Sequence, residues 1–182
     1  LIELMEKDSD MQVRAAACEY AGKLGDEKFM PSYTKLTAEK DETLRAACMK
    51  GLVYMWWSYP FHENASEKAY KLTLKLLNAK PRTKDYPYWT IPGMFSNKSD
   101  EKFAEWQKKA AWFKPAELNA ALLDIVKDAN ANWMARTGAV SSLVKNGVAK
   151  ADLEKVRKSL GAEPKGDDFH VARALDEAIS KM

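Results

Sequence analysis

Residues that build metal sites and disulfide frameworks are scarce in this sequence, which has two cysteines and two histidines among 182 residues. His62 and His170 lie far apart, and neither belongs to a His or Cys pair at metal-ligand spacing, so we expect no metal site. Two cysteines are too few for a fold stapled by several disulfides. Because each lies in an alanine-rich stretch suited to close helix contact, we expect Cys18 and Cys48 to be small buried packing residues on neighbouring helices, without a disulfide.

Membrane and catalytic signatures are also lacking. No apolar run approaches the roughly 18 residues that span a bilayer, and no phosphate-binding loop or G-x-S-x-G turn occurs. We therefore expect a non-enzymatic protein with no cofactor and no membrane insertion. The first residues, LIELMEKD, have the pattern of the end of a helix, and they lack an initiator Met. Both features suggest a fragment of a longer chain. No targeting segment is visible, which leaves the location open, with the cytoplasm slightly favoured.

Charge is unevenly distributed, although the formal net charge is only +3. Residues 66–114 contain 11 Lys and Arg against 5 Asp and Glu, whereas residues 1–65 contain 8 against 11. Residues 115–182 are balanced, with 10 of each. The middle of the chain is therefore its basic part, and a basic segment attracts phosphate backbones.

One phrase of the sequence occurs twice. Residues 8–24 read DSDMQVRAAACEYAGKL and residues 39–55 read EKDETLRAACMKGLVYM, and the two align when Arg14 is placed on Arg45. A third copy, NWMARTGAVSSL, contains Arg136. Arg14 and Arg45 are 31 residues apart. Self-similarity at a spacing of this size indicates a stacked array of helical repeats.

Each copy has the signals of one helix. In the first copy the apolar residues at 13, 17, 20 and 24 form one helical face. Asp10 and Asp41 precede the first two copies as N-caps, and Gly25 follows the first as a stop signal. We expect about ten helices and essentially no sheet. Besides the chain start and the repeats at 10–24 and 41–55, they lie at 27–39, 66–78, 100–113, 115–128, 132–146, 150–160 and 167–181.

The pattern of an acidic cap, an apolar residue, arginine and small residues resembles the HEAT repeat, in particular the short bacterial HEAT-like repeats of bilin lyase subunits. The residues that carry the match are Asp10, Val13, Arg14, Ala16, Ala17, Asp41, Leu44, Arg45, Ala47 and Cys48, with Asn132, Arg136, Gly138 and Ala139 in a weaker third copy. The resemblance implies an all-α, right-handed α-α superhelix. It also implies a single domain over residues 1–182, best matched at 1–57 and 115–147, with an irregular insert at 58–114.

In that family, an arginine and an aspartate of each repeat form a ladder that links neighbouring repeats. There the arginine is held by backbone carbonyls and the aspartate. The resemblance implies the same structural ladder here, formed by Asp10, Arg14, Asp41, Arg45 and Arg136.

Aromatic residues are concentrated around the insert, since 14 of the 19 lie between Tyr54 and Phe113. One interpretation is a satellite core that packs the irregular segment. The other is an exposed aromatic surface, because Trp and Tyr beside prolines and lysines are typical anchors for peptides, sugars or stacked bases. On the second interpretation, the partner-binding residues are Trp56, Trp57, Tyr59, Phe61, Tyr86, Tyr88 and Trp89.

Three functions are compatible with these features. The leading hypothesis is a non-catalytic module that binds another protein or peptide through a concave helical-repeat surface and the aromatic insert. The alternative is nucleic-acid binding by the basic, aromatic middle segment, as in the HEAT-like alkylpurine DNA glycosylases, although no catalytic aspartate of that group can be matched. A role like that of the bilin lyase subunits is a third hypothesis, by fold analogy alone.

Overall fold

The structure is a computed structural model that describes residues 1–57, 64–82, 91–95 and 101–182, with only the backbone described at 101–103. These residues form ten α-helices and two short 3-10 helices, and the described part of the chain contains no strand. The prediction of an all-α protein is therefore confirmed. The residues divide into two compact units, one made of 1–76 and 99–113, the other of 77–98 and 114–182.

Six helices build the first unit. They are α1 (Ile2–Lys7), α2 (Met11–Leu24), α3 (Met30–Leu36), α4 (Glu42–Trp57), α5 (Glu67–Leu77, whose last residue falls in the second unit) and α6 (Glu101–Lys109). A 3-10 helix at Glu27–Phe29 leads directly into α3.

Four helices build the second unit, after a 3-10 turn at Ile91–Met94. They are α7 (Pro115–Lys127), α8 (Trp133–Lys145), α9 (Lys150–Ser159) and α10 (Asp167–Ser180). Helix α8 lies at the centre, because α7, α10 and the Ile91–Met94 turn all pack on it. Gly93 and Gly138 meet at this contact, and the Ser142 hydroxyl donates a 2.6 Å hydrogen bond to the Pro92 carbonyl.

Helix ends follow the chemistry expected from the sequence. The Asp10 carboxylate accepts a 2.7 Å hydrogen bond from the Gln12 amide at the start of α2. Gly25 ends that helix in the left-handed conformation, with φ of 66°, which glycine adopts without steric cost. Asp41 accepts from the Leu44 amide at 2.8 Å, and Asn132 caps α8 in the same manner.

Helices α2 and α4 stack in parallel along a seam of small residues. Cys18 faces Cys48, Glu19 faces Lys50 and Gly22 faces Gly51, so the offset between facing residues stays near 30 along both helices. The seam is very close: a Cβ built on Gly22 would lie 2.1 Å from the Gly51 carbonyl oxygen. Tyr33 of α3 adds a 2.6 Å hydrogen bond to the Cys18 carbonyl, and burial raises the pKa of its hydroxyl.

The two cysteines of this seam form a disulfide, with their Cα atoms 4.7 Å apart. Both were expected to be buried packing residues, and both are 0% exposed. The expectation of free thiols was wrong, because the parallel stack brings two residues that are 30 apart in sequence into bonding range.

A further difference concerns the end of α4. This helix continues through Trp56 and Trp57, two residues beyond the predicted helix at 41–55. Within the segment 58–114 that was expected to be one insert, the described residues 64–76 and 101–113 belong to the first unit, and the described residues 77–82, 91–95 and 114 belong to the second. Among the helices described, none has both the length and the apolar character that a bilayer crossing requires.

Candidate interaction surface

Five aromatic residues of the first unit pack together in its interior, namely Trp56, Trp57, Tyr70, Trp106 and Phe113. Trp56 is 0% exposed and Trp57 is 6% exposed. The Trp56 ring lies 4.9 Å from that of Tyr70 and 6.0 Å from that of Phe113, and the Trp57 ring lies 5.4 Å from that of Trp106. The Trp56 indole also donates a 3.0 Å hydrogen bond to the Thr73 hydroxyl.

Trp56 and Trp57 therefore have the packing role of a satellite core instead of forming an exposed aromatic surface. The remaining aromatic residues proposed for partner binding lie outside the described residues, so a binding role for them stays a prediction. They are Tyr59, Phe61, Tyr86, Tyr88 and Trp89.

The three repeat arginines each donate to a backbone carbonyl of the preceding element. Arg14 Nε bonds the Met5 oxygen at 3.0 Å, Arg45 Nη1 bonds the Glu39 oxygen at 2.9 Å, and Arg136 Nε bonds the Val126 oxygen at 2.9 Å. The arrangement ties each repeat helix to the segment before it.

The aspartates of the expected ladder have a different geometry. Asp10 and Asp41 accept hydrogen bonds from the first amides of their own helices. The carboxylate partner of Arg136 is Asp168, at 2.7 Å, in the first turn of α10. Because Asp168 lies in α10, this ion pair could be found only from the packing of α8 on α10.

Much of the positive charge of the middle segment is paired. Five of its cations form ion pairs of 2.6 to 3.4 Å with carboxylates, namely Lys68, Lys71, Lys80, Arg82 and Lys114. In the second unit, Lys80 and the fully buried Arg82 side chain both contact Asp124 and Asp128. These pairs neutralise part of the excess that suggested nucleic-acid binding.

Exposed apolar side chains are concentrated on α1 and α2. Of the eight large hydrophobic residues that are exposed in the described chain, Leu1 directly precedes α1, and five belong to these two helices: Ile2, Leu4, Val13, Tyr20 and Leu24. On α2 they form a stripe, hereafter the α2 stripe, that consists of Val13, Ala16, Tyr20 and Leu24 at helical spacing. Tyr20 is 60% and Leu24 is 47% exposed.

On helix α4, the residues that align with the α2 stripe are buried. Its face toward α2 includes Cys48 and Gly51. In the alignment of the two copies, residues 44, 47, 51 and 55 of α4 correspond to the four residues of the α2 stripe. All four α4 positions are buried. The positions of the α2 stripe are thus buried one repeat later, and Gly51, the counterpart of Tyr20, packs on α2.

A charged edge borders the α2 stripe, toward the seam with α4. Lys50 pairs with Glu19 at 2.8 Å, and this hydrogen bond raises the pKa of Lys50. The ammonium groups of Lys23 and Lys50 lie 5.7 and 6.0 Å from the centre of the Tyr54 ring, within the range of cation–π attraction. The surface thus combines an apolar stripe with an amphipathic border, which suits contact with another protein.

The sequence located this face but did not decide whether it is buried or exposed. The residues at 13, 17, 20 and 24 were interpreted as one apolar face of a helix, yet only Ala17 among them is buried. The helix instead buries its small-residue face against α4. The sequence signal for that buried face is the series of small residues Ala15, Cys18 and Gly22, which are spaced by three and four along the helix.

Groups that could hold a metal ion, meaning three or more His, Cys, Asp or Glu side chains close together, are absent from the described residues. A comparison of the sequence with models of known protein families finds no match, and a comparison with curated proteins finds none either.

Proposed function

We propose that this chain is a HEAT-like helical-repeat module that binds another protein without catalysing a reaction, and that the partner docks on the face formed by α1 and the α2 stripe. The observation that carries the proposal is the concentration of exposed large hydrophobic side chains on these two helices. Apolar patches on the surface of a protein mark interaction sites. Covering Val13, Tyr20 and Leu24 would contribute on the order of 1 kcal/mol each.

The repeat register supports a helix as the docking element. All four α4 residues that correspond to the α2 stripe are buried, and one of them, Gly51, packs directly on the parallel helix α2 at Cys18 and Gly22. A partner helix with small residues at the same spacing could approach the α2 stripe as α2 approaches α4. Tyr20 stands where α4 has Gly51, so the opposing position must be small enough to accommodate its ring.

Three further features are consistent with a HEAT-like solenoid. The first is the parallel stack of α2 and α4, and the second is the bond from each repeat arginine to a preceding carbonyl. The third is the use of small residues at the seam. In this proposal the aromatic residues Tyr59, Phe61, Tyr86, Tyr88 and Trp89 add a second contact for the partner.

Site-specific photo-crosslinking tests the proposal. A benzophenone side chain placed at Tyr20 should form a crosslinked protein adduct in cells of the source organism, identified by mass spectrometry. The matched control places the same group at Phe169, an aromatic residue of the second unit with comparable exposure of 52%. A single adduct specific to position 20, lost when Leu24 is changed to Ser, would support docking on this face. Equal adducts at both positions, or none at position 20, would exclude it.

Nucleic-acid binding has less support, since ion pairs already neutralise five cations of the basic segment. It would require affinity for single-stranded DNA that falls steeply as salt is raised.

A further inference from the structure

A cavity of about 430 Å³ lies in the second unit between the end of α9, the loop at 161–166 and the first half of α10. Its lining consists of Arg157, Ala162, Glu163, Pro164, Phe169, Ala172, Arg173 and Asp176. Small-molecule sites typically have volumes of roughly 300 to 1,000 Å³. None of these residues belongs to the surface proposed for protein binding.

The cavity has an apolar end and a charged end. Phe169, Ala172, Arg173 and Asp176 follow each other at helical spacing, so one face of α10 forms the wall opposite the loop. The wall extends about 10 Å from Phe169 to Asp176, at 1.5 Å per residue. Phe169 is 52% exposed, and Pro164 of the loop is another apolar residue of the lining.

The aromatic end is held in place by ring contacts. Phe169 meets His170 edge-on at 5.6 Å, and His170 stacks on Trp133 of α8 at 4.5 Å. An exposed ring that is supported in this way loses little freedom when a ligand packs on it, which favours binding.

Two arginines lie at the charged end, and one of them is already oriented. Arg157 donates through Nε to Asp176 at 2.8 Å and through Nη1 to the Gly161 carbonyl at 2.8 Å. Arg173 has no ion pair with a carboxylate of the described residues, and Glu177 is instead bonded to Lys181 at 2.6 Å. Glu163 and Asp176 equal the two guanidinium groups of the lining in number, so the lining is neutral overall. Arg157 is the one that pairs with a lining carboxylate, Asp176, which leaves the Arg173 guanidinium able to pair with a ligand carboxylate.

We propose that this cavity binds a carboxylate attached to an aromatic ring, either a small aromatic acid or the C-terminus of a peptide that ends in an aromatic residue. The ring packs between Phe169 and Pro164, and the carboxylate pairs with Arg173 beside the oriented Arg157. Arginine suits this role, because its planar guanidinium matches the geometry of a carboxylate.

Titration followed by ¹H–¹⁵N NMR tests the site. The probes are N-acetyl-L-phenylalanine, its primary amide, and the tripeptide acetyl-Ala-Ala-Phe. Saturable shifts of the amides at 161–176 are expected with both acids and not with the amide. Tighter binding of the tripeptide would identify a peptide C-terminus as the source of the carboxylate, whereas equal binding would identify a free acid.

Arg173→Ala is expected to weaken binding of the acids about three- to fivefold, the effect of one partly exposed ion pair. The control Lys165→Ala removes the same charge from the adjoining loop, outside the cavity lining, and should leave the affinity within error. Both residues are exposed, so the variants are expected to fold, as circular dichroism would verify. Equal binding of the amide, an equal loss in both variants, or shifts that map elsewhere would overturn the proposal.

Discussion

Gly51 has no room for a side chain. A Cβ at this position would lie 2.3 Å from the Cys18 carbonyl oxygen and 2.7 Å from the Tyr33 hydroxyl. The Cys18 oxygen is backbone and cannot move without shifting α2. The glycine thus sets how closely the two helices approach, although in an isolated helix alanine would be favoured over glycine by about 1 kcal/mol.

We predict that Gly51→Ala destabilises the protein by about 1 to 3 kcal/mol, because overpacking at the seam outweighs the gain in helix propensity. Urea unfolding followed by circular dichroism measures the change. Gly93→Ala is the control, since the nearest atom to its added Cβ is 3.6 Å away, an ordinary contact. Unchanged stability in Gly51→Ala would mean that α2 and α4 do not approach this closely.

Among the carboxylates of the described residues, Asp128 has the pKa that departs furthest from its usual value. Burial by itself would raise its pKa, but hydrogen bonds from Lys80 and Arg82 outweigh that effect and lower the pKa from 3.8 to about 2. The folded pKa is below the unfolded one, so this carboxylate contributes stability above pH 4 or so. That contribution is lost as the pH falls toward 2.

We predict that Asp128→Asn lowers the free energy of unfolding by about 1 to 3 kcal/mol at neutral pH, because the buried Arg82 loses a charged partner. The difference from the wild-type protein should shrink between pH 4 and pH 2, as measured by urea unfolding across that range. Glu177→Gln removes a carboxylate from an exposed pair with Lys181 and should change stability little at any pH. A difference for Asp128→Asn that does not vary with pH would contradict the assignment.

At the scale of elements, the disulfide joins two helices whose contact is already close. The bond between Cys18 and Cys48 closes a loop of 30 residues that contains all of α3. A cross-link of this length restricts the unfolded chain and typically stabilises a protein by about 2 to 4 kcal/mol.

We therefore predict that the double variant Cys18→Ala, Cys48→Ala loses about 2 to 4 kcal/mol of stability, measured by guanidinium unfolding. The same loss should follow when the wild-type protein is unfolded in the presence of a reductant, while the variant should not respond to the reductant. Two titratable thiols in the untreated, denatured wild-type protein would show that the disulfide does not form.

The presence of the disulfide also suits an oxidising compartment better than the cytoplasm that the sequence slightly favoured.

The prediction of individual helices succeeded where the period and the caps agreed. Asp10, Gly25 and Asn132 mark helix ends in the structure as they do in the sequence. The end of α4 was misplaced because Trp56 and Trp57 continue the helix by packing on α5 and α6 residues that lie far along the chain. The Ile91–Met94 turn was missed for the same reason, since it is held by Gly138 and Ser142 of α8.

At the scale of the whole molecule, the distribution of exposed apolar surface is the property with functional consequences. Among the described residues, the first unit has six large exposed hydrophobic residues, five on α1 and α2 and one directly before α1, and the second has Phe169 and Met182. A protein that leaves such a face uncovered tends to associate with itself.

We predict that the isolated protein self-associates as its concentration rises, and that Tyr20→Ser combined with Leu24→Ser reduces this association severalfold. Sedimentation velocity over a concentration series measures it. The matched control changes Phe169 and Met182 to Ser, which removes the same number of exposed hydrophobic residues from the second unit. If the control reduces association equally, the α2 stripe is not the adhesive face.

The sequence by itself determined the helical class, most helix boundaries, the caps and the positions of the repeat arginines, because these depend on residues within a turn or two of each other. Only the tertiary structure decided that Cys18 bonds Cys48, that Trp56 and Trp57 are buried, and that the apolar stripe around Tyr20 is exposed. A helix has several faces, and a periodic pattern identifies them without stating which will be covered. The small residues of α2 allowed the closer contact with α4, so that face was buried and the doubled phrase left its larger apolar residues exposed to solvent.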